Sequence, residues 1–343
     1  MRYLLTGGAG FIGCNAAARL KRRGDDVVVV DNLSRVGSVA NARWLADELG
    51  VAVTSIDLRH ADAIAACVAE VRPDVVLHCA AQVAVTTSVT NPRRDFEDNA
   101  FGTFNLLEGV RLGAPDAIVL YTSTNKVYGG MEDIGIELHD GRYRYVDLPN
   151  GCDEQRPLDF HSPYGCSKGA ADQYVHDYAR IYGMRTVVFR QSCIYGYRQF
   201  GVEDQGWVAW FSIRAALGKP VTIFGDGRQV RDVLFIDDLV DGFLAAIDHI
   251  DSSAGRIYNV GGGPGNQMSL LDLVAHLERL SGRPLHVEYA GWRPGDQRIF
   301  VCDIGKAKRE LGWAPQVSCP DGIERLYRWI EANRSLFSSS GTP

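Results

Sequence analysis

The stretch Tyr3-Leu4-Leu5-Thr6-Gly7-Gly8-Ala9-Gly10-Phe11-Ile12-Gly13 decides the fold: a short apolar run ends in glycines that fit both G-x-x-G-x-x-G and G-x-G-x-x-G. Glycines at such a turn let the backbone double back and approach a pyrophosphate, whose charge the amides of the following helix stabilise. Working outward, further apolar runs lie at 27–30, 51–56, 75–78 and 117–122, separated by amphipathic patterns at 16–23, 40–49, 61–71 and 103–109. Strands with no polar face need cover on both sides, so they belong to a parallel sheet. The pattern predicts an α/β fold, a Rossmann-type doubly wound parallel sheet. A polar, glycine-containing stretch at 130–151 reads as a surface loop or lid, followed by a helix at 163–182 and a strand at 186–190.

After Gly196 the elements shorten, with turns at Gly218-Lys219-Pro220, Gly225-Asp226-Gly227 and Gly261-Gly262-Gly263-Pro264-Gly265. Helical patterns recur at 237–247, 269–282, 304–311 and 322–332. We expect a dinucleotide-binding domain over 1–190, carrying the 130–151 insertion, and a smaller C-terminal α/β substrate-binding region over 191–335 whose segments interleave with the first. Residues 336–343 read as a flexible tail.

The 343 residues hold 36 Lys and Arg against 42 Asp and Glu, a net charge of −6, and no basic block is longer than Lys21-Arg22-Arg23. Nucleic acid is a poor partner for such a chain, because phosphate backbones need a basic face. No apolar run reaches the roughly 18 residues of a membrane-spanning helix, and the N-terminus lacks a secretory pattern. A cytoplasmic protein without membrane attachment is expected. The eight cysteines are scattered, with no C-x-x-C pair and no zinc-finger spacing, so no metal is expected and the thiols read as small reduced hydrophobes.

Asp31 closes the second strand, 18 residues beyond Gly13, where a carboxylate accepts hydrogen bonds from a ribose diol and repels a ribose phosphate. That favours NAD over NADP. Asp57, after the third strand, reads equally as a partner for an adenine amino group or as a helix cap. Small residues in His78-Cys79-Ala80-Ala81 leave room where a pyrophosphate and ribose must pass.

Tyr164-Gly165-Cys166-Ser167-Lys168 sets a tyrosine and a lysine at i and i+4, on one helix face. A neighbouring ammonium stabilises phenolate, so the expected effect is a lowered Tyr164 pKa and a base working near neutrality. Such pairs also arise by chance on surfaces. Thr124 ends the fifth strand at the carboxyl edge of the sheet, where its hydroxyl can share a substrate oxygen with Tyr164.

Together, the glycine turn, Asp31, His78-Cys79-Ala80-Ala81, Asn99-Ala100-Phe101-Gly102-Thr103, Thr124, Tyr164-x-x-x-Lys168 and Arg231-Asp232-Val233-Leu234-Phe235-Ile236-Asp237 resemble the extended short-chain dehydrogenase/reductase family. The resemblance runs in order over 3–329 and implies NAD-dependent chemistry on a nucleotide sugar, with Thr124, Tyr164 and Lys168 catalytic. It implies NAD contacts from Gly7, Gly10, Phe11, Ile12, Gly13, Asp31, Asn32, Asp57, Leu58, Ala80, Ala81, Asn99, Tyr164 and Lys168. Sugar-nucleotide contacts are implied for Asn125, Lys126, Ser192, Gln205, Trp207, Arg231 and Arg298, the arginines suiting a diphosphate. Trp207 stands three residues before Trp210, and aromatic residues at that helical spacing are more often core than pocket lining.

Within the family, Thr124-Asn125-Lys126-Val127-Tyr128-Gly129 and the segments 158–174 and 198–208 are similar to the branch that epimerises CDP-hexoses at C2, of the CDP-paratose to CDP-tyvelose type. The 4,6-dehydratases typically carry Asp-Glu where Asn125 and Lys126 stand, to expel a hydroxyl as water. Ser192 replaces an asparagine common in the family, and 130–151 is longer than in common 4-epimerases. The resemblance also implies a homodimer, through helix faces carrying Ala170, Ala171, Tyr174 and Tyr178. The competing readings are a 4-epimerase or reductase of the same family, and a non-catalytic NAD-binding regulator.

Overall fold

A computed structural model of the chain describes residues 1–293 and 296–338. Its centre is a seven-stranded parallel sheet of β1 (Arg2–Thr6), β2 (Asp26–Asp31), β3 (Val53–Ser55), β4 (Val75–His78), β5 (Ile118–Thr124), β6 (Arg185–Gln191) and β7 (Arg256–Val260). The spatial order is β3-β2-β1-β4-β5-β6-β7. The order reverses between β1 and β4, and Thr6 pairs with both Val30 and His78, so the carboxyl ends of β2, β1 and β4 finish level. Ligands of doubly wound sheets bind in the crevice at such a switch point.

Neighbouring residues on each strand face opposite cores. Leu5, Val29, Leu77 and Phe189 join one cluster with Leu20, while Leu4, Val30, Val76 and Val188 join the other with Leu106 and Val175. The covering helices include α1 (Phe11–Arg22), α2 (Ser38–Leu49), α3 (Ala61–Val71), α4 (Gly102–Gly113) and α5 (Ser162–Tyr182). Pro163 sits in the first turn of α5, where its missing N–H costs nothing, and Gly183 ends the helix in the left-handed conformation.

Several elements differ from the sequence expectation. β5 runs on to Thr124, two residues past the expected end. Between β4 and α4 lie short helices Val85–Thr90 and Pro92–Phe96 and a π-helical turn Glu97–Phe101, the second capped by the Asn91 side chain on the Arg94 amide. β7, from beyond Gly196, completes the first sheet beside β6, an interleaving of the kind expected for 191–335.

The stretch 130–151 is no free loop. It contains an antiparallel hairpin, Ile136–His139 with Arg142–Tyr145. Tyr145 is buried with Met131, Phe300 and Val301, its hydroxyl donates to the Ile299 carbonyl at 3.2 Å, and Tyr143 donates to Asp226 Oδ2 at 2.7 Å. The hairpin is therefore an arm docked on the C-terminal region, where strand Val230–Phe235 pairs with Cys193–Tyr195, Gln267–Ser269 and Ile299–Phe300. The first residues of the expected tail are ordered structure: Ser335–Ser338 is helical, with Phe337 buried against Phe200 and Trp329. Residues 339–343 of that expected tail lie outside the described residues.

Candidate active site

At the switch point the glycine turn, the ends of β2 and β4 and the loop after residue 197 enclose an open cleft of about 1110 Å³. Gly7, Gly10, Phe11, Ile12, Gly13, Asp31, Asn32, Asp57, Leu58, Ala80 and Ala81 all line it. Gly7 has φ +64°, and a Cβ there would lie 2.5 Å from the Ala80 amide nitrogen. A Cβ on Gly13 would lie 2.4 Å from the Gly7 carbonyl oxygen, so the helix can start hard against the turn only with glycine at both places. Asp31 Oδ2 accepts from the Ala9 amide at 3.0 Å and Oδ1 from the Leu33 amide at 2.7 Å. A glycine cradle with a carboxylate at its far end and small residues opposite fits a dinucleotide.

Asp57 is engaged more than the sequence suggested. Its oxygens accept from Arg59 Nε at 2.9 Å and Nη2 at 2.7 Å, and the Arg59 pair holds its carboxyl well below the usual range. Asn32 Nδ2 also donates to it at 3.2 Å. Asn99 is not part of the cleft wall. It is buried, its Oδ1 accepting from the Gln82 amide at 2.8 Å and its Nδ2 donating to Ser167 Oγ at 3.0 Å and Asp95 Oδ1 at 3.2 Å.

Tyr164 and Lys168, 8% and 2% exposed, enter from α5, and Thr124, 7% exposed, from the end of β5. Burial pushes the Tyr164 phenol up to about 12, while the Thr124 hydroxyl, hydrogen-bonded to it, and the Arg35 charge pull it back. The expected depression by Lys168 is not what this geometry produces. Lys168 Nζ donates to the Thr122 carbonyl at 2.6 Å and lies 4.2 Å from the Tyr121 ring centre, and burial draws its own pKa down to about 7. His78 is an inner support, with Nδ1 2.7 Å from Thr6 Oγ1 and Nε2 2.8 Å from Thr103 Oγ1, and burial keeps it neutral.

The residues assigned to the sugar nucleotide spread over more than one place. Lys126 and Arg298 line a second open cleft of about 1650 Å³ with Gly129, Tyr145, Asp296 and Gln297. Lys126 Nζ donates to Gln297 Oε1 at 3.3 Å, and burial beside Arg231 lowers its pKa to about 8. Arg231 is spoken for by Asp296 Oδ1 at 3.1 Å and the Gln297 carbonyl at 2.6 Å. Arg298 is exposed, over the Tyr143 ring. Asn125 is half-buried beside Thr124, and Gln205 faces the first cleft.

Two of the assigned residues are engaged within the protein itself. Ser192 Oγ donates to the fully buried Asp232 carboxylate. Trp207 is half-buried, edge-on to Phe211 and packed against the core.

Residues 3–261 match the model of the NAD dependent epimerase/dehydratase family. The chain belongs to this family. NAD is its cofactor, and the glycine cradle and Asp31 fit that group. The chain is 45% identical to the CDP-paratose 2-epimerase of Salmonella typhi, over 97% of this chain and 100% of that one. It is 33% identical to the UDP-glucose 4-epimerase of Mycolicibacterium smegmatis, covering 96% and 98% of the two chains. Among solved structures, the UDP-glucose 4-epimerase of Thermus thermophilus, in complex with NAD, superposes with a TM-score of 0.80 at 32% identity, covering 99% and 100%.

For an epimerase/dehydratase, the sequence reading missed three cleft residues. Arg35 donates to Gln205 Oε1 at 3.2 Å, Arg59 anchors Asp57, and Arg198 lies 3.8 Å above the Trp44 ring. Only their proximity to Asp31 and Asp57 in sequence hinted at the first two. Among the described residues no group of three His, Cys, Asp or Glu is arranged to hold a metal, and no helix is long and apolar enough to cross a membrane.

Proposed function

We propose that this NAD-dependent nucleotide-sugar epimerase inverts C2 of a CDP-hexose, in the sense of CDP-paratose to CDP-tyvelose. The observation that carries the reading is 45% identity with the Salmonella typhi 2-epimerase along essentially the whole chain, against 33% with the Mycolicibacterium 4-epimerase. Asn125 and Lys126 weigh against 4,6-dehydration, since neither supplies a carboxylic acid to expel water.

When bound, NAD supplies the redox chemistry, accepting a hydride from the sugar carbon and returning it. Gly7, Gly10, Gly13, Asp31, Ala80 and Ala81 hold it. Tyr164 is the base that takes the C2 hydroxyl proton and later gives it back, and Thr124, already bonded to the phenol, orients the same oxygen. Lys168, which burial draws down to about 7, is fixed beside the reacting groups by its bond to the Thr122 carbonyl. The burial of all three side chains keeps water from a keto sugar. Arg231, Arg298 and Lys126 are the cations for the diphosphate, within residues 191–335 and at the strand end. Asn125 and Gln205 contact the sugar, and Ser192 acts by fixing Asp232. Asn99 acts through Ser167.

The partner we assign to the α4–α5 face is a second copy of the chain. Phe104, Tyr174, Tyr178 and Tyr182 form an edge-to-face ladder there, with Phe104, Tyr174 and Tyr182 between 37% and 53% exposed. Tyr174→Glu should yield monomers by sedimentation.

The reading is tested by offering CDP-paratose, UDP-glucose and dTDP-glucose and resolving products by NMR. Inversion at C2 of the CDP-sugar alone supports it. Inversion at C4 of UDP-glucose supports the second reading, a 4-epimerase, which the Thermus thermophilus likeness favours.

A further inference from the structure

Asp95 is a carboxylate only 1% exposed, and no step above uses it. Its Oδ2 accepts from Ser167 Oγ at 2.5 Å, and its Oδ1 accepts from Gln82 Nε2 at 2.8 Å and Asn99 Nδ2 at 3.2 Å. Ser167 stands between Tyr164 and Lys168 on α5, and its hydroxyl also lies 3.2 Å from the Tyr164 carbonyl. Gln82 follows Ala81 and precedes Val83, both of which line the cofactor cleft. The capped helix Pro92–Phe96 and the π-helical turn Glu97–Phe101 carry Asp95 and Asn99 four residues apart, so both side chains reach Ser167. One buried carboxylate thus ties the first turns of α5 to the wall of the cleft. A surface role or a core-filling role needs no such arrangement of three donors.

We propose that Asp95 is a positioning residue, which through Ser167 and Gln82 fixes Tyr164 and Lys168 relative to the cofactor cleft. The proposal rests on the reading of Tyr164 as the base. The groups facing Tyr164 are Thr124 and Tyr121 from β5, Arg35 from the loop after β2, and Asp95, while Lys168 on its own helix lies over the Tyr121 ring instead. Lys168 faces Asp172, Cys79, His78 and Asp95, and Asp95 faces Asp98 and Lys168. In that setting the Asp95 charge raises the pKa of both Tyr164 and Lys168. It favours the neutral phenol and the charged ammonium. Removing the charge moves both titrations down.

The test uses NAD-loaded protein and Asp95→Asn, which keeps the size, beside Asp95→Glu, which keeps the charge. Tyrosinate is followed by ultraviolet difference spectra against Tyr164→Phe as the blank, and kcat and KM are measured with CDP-paratose. The expected result is a Tyr164 titration lowered by about half a unit or more in Asp95→Asn, with kcat down about tenfold and KM within about twofold. Asp95→Glu should move the titration back toward the parent. A phenol that titrates unchanged in a folded Asp95→Asn protein overturns the proposal. Should Asp95→Asn not fold, Ser167→Ala cuts the link and leaves the carboxylate: a kcat loss of about tenfold supports the proposal, and a parental kcat overturns it. Activity persisting in Tyr164→Phe would instead remove the base reading, a failure distinct from an unshifted Asp95→Asn beside an inactive Tyr164→Phe.

Discussion

Asp31 Oδ2 accepts a hydrogen bond from the Ala9 amide at 3.0 Å, which ties the end of β2 to the glycine turn that follows β1. One carboxylate therefore shapes the cradle and sets its charge. Asp31→Ala removes two charge-assisted bonds, to Ala9 and to Leu33. In the proposed role the carboxylate also accepts from the ribose diol, and loss of one such charge-assisted bond, about 1.5–3 kcal/mol, lowers NAD affinity at least about tenfold, with a smaller preference over NADP. Calorimetric titration of both nucleotides measures this, together with the NAD released on denaturation.

Tyr164→Phe keeps the ring and its buried contacts and deletes only the phenol oxygen. Loss of a general base lowers rates by about 10²–10⁴-fold, and kcat should drop within that range while bound NAD and thermal stability stay close to the parent. Turnover and nucleotide content measured on one preparation separate chemistry from folding.

Arg35 is the cation whose charge pulls the Tyr164 phenol down. The sign follows directly: a neighbouring positive charge favours phenolate, so Arg35→Leu raises the Tyr164 pKa. The acid limb of the kcat profile should move to higher pH, opposite in direction to the Asp95→Asn shift. Because Arg35 is exposed, the displacement should be only about a few tenths of a unit. A profile carried up the alkaline range toward the phenol's titration reads it.

Arg231 spreads its guanidinium over Asp296 and the Gln297 carbonyl beside the Lys126 amine. Lysine cannot reproduce that fork. Arg231→Lys should raise KM for the sugar nucleotide about tenfold or more with a much smaller change in kcat, in steady-state assays with CDP-paratose.

The readable parts of this molecule were those fixed by local backbone demands. The glycine turn needs glycine for its positive φ and its close approach to Ala80, so it stands out in any reading of the chain. Tyr164 and Lys168 are paired by helix geometry alone. The parts that stayed hidden depend on partners distant in sequence. The Asn99 bond to Ser167 spans 68 positions and the Ser192 bond to Asp232 spans 40, so neither engagement shows in the local sequence. The Arg142–Tyr145 strand read as a polar loop because only Tyr145, at its end, is fully buried. The Lys168 ammonium was expected to act on Tyr164, but the Thr122 carbonyl and the Tyr121 ring, one strand away, capture it.

The central claim is that a hydride leaves C2 of a CDP-hexose and returns to the other face of that carbon, while the proton leaves and returns to the oxygen it bears. Its most direct test is turnover of CDP-paratose deuterated at C2, in ordinary water, with the product analysed by NMR and mass spectrometry. The account predicts C2-inverted product that retains the deuterium at C2, with slowed turnover and no net accumulation of reduced cofactor. Washout of the label into solvent, or inversion at C4 with C2 untouched, would contradict it.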